Sequence, residues 1–134
     1  MGFLERFRKK KEKEAEAEKV VTELELLCAD DTEVYEALSN TMLLDPRKVE
    51  YSIEDVVKKA EEHEKANDRI NALFWYKIAG GLAIYKGNVR EVKRYFGKVA
   101  KLDPKFDAKI LKLAEKAVKK AREYYEKYLP PETT

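Results

Sequence analysis

The stretch GGLAIYKGNVREVKRYFGKVAKLDP, residues 80–104, holds two glycines inside an apolar run, a Gly-Asn that interrupts it, a Tyr-Phe pair and a closing Asp-Pro. Such punctuation marks either a loop that does chemistry or the joints between packed helices. Gly80-Gly81 sits among apolar residues at helical spacing and follows no strand-like run, so it is not placed to cradle a phosphate. Gly87 suits the left-handed end of one helix, and Asn88 with Glu91 supplies a capping box for the next. Asp103 then caps a further helix with Pro104 at its first position. The stretch therefore predicts helix, joint, helix, joint.

Working outward, apolar residues recur at three- and four-residue spacing, and the alternation expected of strands is missing. A first helix over roughly 3–29 carries the stripe Val20, Leu24, Leu27 and Cys28. A second starts near Asp30, with Glu33 placed for a capping box, and runs to LLDP at 43–46. The third is capped by Ser52, with Asp55 as its reciprocal partner, and KAND at 65–68 interrupts the pattern. Asp68 caps a fourth over about 69–86, a fifth covers about 89–101, and the last spans about 104–129 with Phe106, Ile110, Leu113, Ala117, Ala121 and Tyr124 or Tyr125 on one face. The expected fold is all-α: antiparallel helical hairpins in a bundle of about five to six helices. One domain over 14–129 lies between a basic amphipathic tip, 1–13, and a frayed PPETT tail, 130–134.

Tyr76, Ala79, Gly80 and Ala83, followed by Gly87, Val92, Phe96, Val99 and Pro104, resemble the tetratricopeptide repeat, whose unit of about 34 residues runs W-x2-L-G-x2-Y, A-x3-F, P. Ala79, Ala83 and Val92 depart from it. A looser second phase, Ala60, Asn67, Ala72, Tyr76 and Ala79, shares the helix 69–86 with the first, so together they describe three successive antiparallel helices over about 53–104. The resemblance implies an α-solenoid-like protein-binding scaffold whose groove receives an extended peptide or a helix. Carried over position by position, it makes Phe74, Lys77, Gly81 and Ile84 the groove residues. Relatives that clamp acidic peptide termini use several Lys, Arg and Asn; here Lys77 alone offers itself.

Composition narrows the function classes. With 134 residues the chain supports one core, and 40% of them are charged. Gln is absent, a Lys/Glu-rich balance typical of helical and of thermophile proteins. The net charge of +2 conceals segregation: residues 1–13 carry six basic and two acidic groups, 14–64 five and sixteen, and 65–134 seventeen and eight. The halves either face each other, within the fold or across a homo-oligomer, or expose a basic surface to an acidic partner. One cysteine and one histidine allow neither an internal disulfide nor a Cys/His zinc site, and a cytoplasmic setting is expected. EEHE at 61–64 lacks the Glu-x-x-His spacing of di-metal bundles, and no nucleophile is paired with His63. No enzyme activity and no cofactor are expected.

Two further surfaces stand out. Phe3, Leu4 and Phe7 share a helical face and are followed by Arg8, Lys9, Lys10 and Lys11, the combination by which an interfacial anchor meets an anionic membrane. The opening is similar to that of peripheral membrane proteins such as the signal-recognition-particle receptor. In the last helix, Lys105, Lys109, Lys112, Lys116, Lys119, Lys120 and Arg122 precede Tyr124, Tyr125 and Tyr128, a lysine-rich helix with aromatics that offers nucleic-acid binding as the alternative function.

Overall fold

The computed structural model describes residues 23–43 and 45–129. All regular structure within them is helical: an α-helical stretch at 23–27, α1 (Thr32–Ser39), a 3-10 turn at Pro46–Lys48, α2 (Ile53–Lys65), α3 (Arg69–Lys86), α4 (Val89–Leu102), α5 (Lys109–Lys112) and α6 (Ala114–Tyr128). The expected all-α class is what the described residues form.

The joints on either side of α3 are chemically alike. At the first, Asn67 takes a left-handed backbone (φ 58°), its N–H donates to Glu64 O, and the Asp68 N–H reaches back to His63 O at 2.8 Å. At the second, Gly87 (φ 76°) donates to Ile84 O and Asn88 to Ala83 O, both at 3.0 Å. Both are Schellman terminations, which satisfy carbonyls that the helix end leaves bare. In each, the residue closing one helix also caps the next: Asp68 accepts from Asn71 N at 3.3 Å and Asn88 from Glu91 N at 3.1 Å. The second capping box is only half made, because the Asn88 N–H is already committed to Ala83 O. Glu91 Oε2 is left buried without a hydrogen bond.

The outer elements depart from expectation. The α1 cap is Asp31, one residue later than expected, with Val34 N donating to its carboxylate at 3.3 Å. The helix stops at Ser39 instead of reaching LLDP. Ser39, Asn40 and Thr41 donate side-chain hydrogen bonds to Glu36 O, Glu36 O and Ala37 O, so three successive donors take over the carbonyls of the last turn. The last helix does not begin at Pro104. Asp103 accepts from Lys105 N and Asp107 from Lys109 N, two local turns that compete with helix and delay it to Lys109; Leu113 then separates α5 from α6.

α3 packs along both α2 and α4. Its sense against α4 follows from two contacts: Arg69, at its start, donates to Leu102 O at the end of α4, while Gly80 lies under the Phe96 ring. A Cβ on Gly80 would come within 2.4 Å of that ring, so the absent side chain sets the approach of the two helices. Phe96 is wholly buried there and also stacks on Phe106, with centroids 5.9 Å apart. Burying such a ring contributes about 1.5–3 kcal/mol. α6 touches α1, α3 and α4, so the first and last described helices meet and close the bundle.

Ion pairs join the acidic and basic halves at this closure and between α2 and α4. Lys109 pairs with Glu36, Lys120 with Asp30 at 3.2 Å, and Lys98 with Glu64 at 3.6 Å. The charge segregation is thus partly consumed within the fold.

Candidate functional site

The outer face of α3 carries Ile70, Phe74 and Lys77, then Gly81, at the four- and three-residue steps of one helical stripe. Its first half is open. Ile70 is 81% exposed and Phe74 55%, values that an apolar side chain holds at a cost in water, and Lys77 is exposed beside them. The second half is closed, so the four residues expected to line a groove do not share one open surface. Leu43 lies on Gly81, where an added Cβ would fall 2.5 Å from its Cγ, and Ile84 is wholly buried in the core.

The cover is the connection between α1 and α2. It runs over α3 from Leu43 through the 3-10 turn at Pro46–Lys48 to Tyr51, whose ring meets Trp75 edge-on at 5.6 Å. It is held at its start by the Tyr125 hydroxyl, which donates to Leu43 O, and by Thr41, whose buried hydroxyl donates to Ala37 O at 2.7 Å. This strap covers the Gly81 end of the stripe.

Where the strap ends, an aromatic shelf begins. Trp75 contacts Tyr51 on one side and Phe74 on the other, at 5.6 and 5.3 Å, and Lys59 Nζ lies 5.1 Å from the Tyr51 ring centre and 5.4 Å from that of Trp75. An ammonium held against ring faces is attracted by their quadrupole. The shelf therefore combines exposed aromatic carbon with fixed positive charge. Tyr51, Lys59 and Ile70 were not among the residues expected here. Ile70 was detectable, four residues before Phe74 on the same stripe, whereas Tyr51 reaches the shelf through a loop path that spacing does not encode.

Other groups that suggested chemistry are placed elsewhere. Cys28 is buried, and that burial raises its thiol pKa above the ordinary value. His63 Nδ1 faces Asp68 at 3.2 Å in the α2–α3 joint. Among the described residues, no group of three or more His, Cys, Asp or Glu is arranged to hold a metal ion. Tyr124 and Tyr125, offered by the sequence for base stacking, are 5% and 4% exposed, and burial raises both their pKa values. Tyr128 is half-buried against Tyr124, 4.8 Å between ring centres. Phe3, Leu4, Phe7, Arg8, Lys9, Lys10 and Lys11 lie outside the described residues, in which no helix is long and apolar enough to cross a membrane. Comparison with protein-family models, curated proteins and solved structures gives no match.

Proposed function

We propose that this chain is a non-catalytic protein-interaction module, a tetratricopeptide-like helical adaptor that receives a partner segment on the shelf of Tyr51, Phe74, Trp75 and Ile70. The observation that carries this reading is the exposure of Ile70, Phe74 and Tyr51 around one aromatic cluster on α3. Large apolar side chains left together at a surface mark interaction sites, and aromatic residues are the usual anchors. The matched joints around α3 and the Gly80–Phe96 approach support the repeat-like architecture.

The strap limits the ligand. From Ile70 to Lys77 the open stripe spans about 10 Å at 1.5 Å per residue, enough for two turns of a helix. Lys59 and Lys77 bound it with positive charge, so the partner segment is amphipathic, with two apolar anchors and an acidic edge. The basic tip, Phe3 to Lys11, would hold such an adaptor reversibly at an anionic membrane.

Wild-type chain and a Phe74→Asp variant, each immobilised, test the shelf against native cell extract. A partner retained by the wild type and lost by the variant is then reduced to its acidic amphipathic segment, whose affinity should fall at least tenfold with Lys77→Glu. Equal retention by both chains overturns the reading. For the tip, deletion of residues 2–13 should abolish pelleting with anionic vesicles; unchanged pelleting removes the membrane part of the proposal and leaves the shelf.

A further inference from the structure

The lysines of α5 and α6 divide into two sets. Lys109 and Lys120, each half-buried, pair with the exposed carboxylates of Glu36 and Asp30. Lys112, Lys116 and Lys119 are exposed, as is Lys93 on α4. None of these four stands within 4.0 Å of a carboxylate among the described residues. Two open clefts connect them: Lys93, Lys112 and Lys116, with Glu115, line one of about 310 Å³, and Lys116, Lys119 and Lys120, with Asp30, Asp31 and Glu123, line another of about 320 Å³. Lys116 belongs to both. Glu36 and Asp30 are taken up by Lys109 and Lys120, while Lys93, Lys112, Lys116 and Lys119 form a ridge with no ion pair of their own among the described residues.

We propose that this ridge of Lys93, Lys112, Lys116 and Lys119 binds the phosphate backbone of double-stranded nucleic acid without reading its sequence. Positive charge alone would serve several anions, and the surroundings decide among them. Single-strand binders need aromatic platforms for unstacked bases, and Tyr124 and Tyr125 are buried beneath the ridge's own helix. Interfacial membrane binding needs apolar groups beside the lysines, yet among the described residues the exposed large hydrophobics are Leu26, Tyr51, Ile70 and Phe74, none of them on α4, α5 or α6. What remains is a row of ammonium groups. Lys116 and Lys119 on α6 are separated by about 4.5 Å of helical rise, against one duplex charge per about 1.7 Å of axis with both strands counted, so neighbouring ammonium groups match the spacing of neighbouring phosphates. The ridge offers no arginine fork for base edges, which makes the contact one of position and charge. This surface uses different residues from the aromatic shelf and stands or falls without it.

Fluorescence anisotropy with a labelled mixed-sequence DNA duplex of 24 base pairs, titrated from low to physiological salt, tests the ridge. Four phosphate contacts predict a slope of log affinity on log salt near −3.6, at about −0.9 per phosphate, and a loss of roughly a hundredfold between 50 and 200 mM. Replacing Lys112, Lys116 and Lys119 together by Gln should bring the slope to about −1. Gln at Lys48, Lys58 and Lys65 removes the same charge elsewhere and should leave the slope unchanged; circular dichroism confirms that both variants remain helical. The proposal is overturned if the wild type shows no salt-dependent binding or if the two triple variants behave alike. It is equally overturned if a single strand of the same length, anionic vesicles or polyglutamate binds more tightly than the duplex.

Discussion

Asn67 holds a left-handed backbone that most side chains adopt only at a cost of about 1–2 kcal/mol, and asparagine tolerates it better than other residues with a Cβ. Asn67→Ala should therefore cost about 1 kcal/mol in chemical denaturation, while Asn67→Gly should be neutral or stabilising. Gly87→Ala meets the same penalty and a second one, because its Cβ would come within 2.8 Å of the Arg122 side chain. It should lose more than Asn67→Ala does, and equal losses would show that Arg122 moves aside freely. Gly80→Ala belongs to a different mechanism: the backbone there is helical, and the conflict is with the Phe96 ring. Overpacking of this kind costs about 1–3 kcal/mol, and Phe96→Leu in the same chain should recover part of it.

At the scale of elements, α2, α3 and α4 were legible because their signals are local. Ser52, Asp68 and Asn88 each cap the helix that the sequence assigns them, and Ser52→Ala should cost about 1 kcal/mol. The outer helices were misjudged where side chains competed with the backbone: Ser39, Asn40 and Thr41 end α1 early, and Asp103 and Asp107 delay α5. The stripe on α3 was legible, but which part of it stays open was not. Spacing places Phe74, Lys77 and Gly81 on one face, yet only tertiary structure lays Leu43 on Gly81. Acid exposes the caps as well. Hydrogen bonds from Asn71 hold the Asp68 carboxyl below its ordinary value of 3.8, so its contribution is present above that value and is lost as pH falls through the lower folded one. An Asp68→Asn chain, which keeps an acceptor but does not titrate there, should lose less helicity than wild type between about pH 5 and pH 2.

Across the whole molecule, opposite charges close the bundle where its first and last described helices meet. Asp30 is held below its ordinary pKa by Lys120, so this tie too is full at neutral pH and released in acid. Reversing one charge, Glu36→Lys, should lower the melting temperature, and adding Lys109→Glu should restore it; failure of the double variant would mean that the pair is incidental. The same closure gives the chain a built-in clock. Cys28 is its single thiol, 1% exposed, on the segment that meets α6 through the bond from Lys120 to Leu27 O. A thiol reagent reaches it when that seam parts, so the labelling rate of the unmodified protein counts how often the Cys28 segment separates from α6.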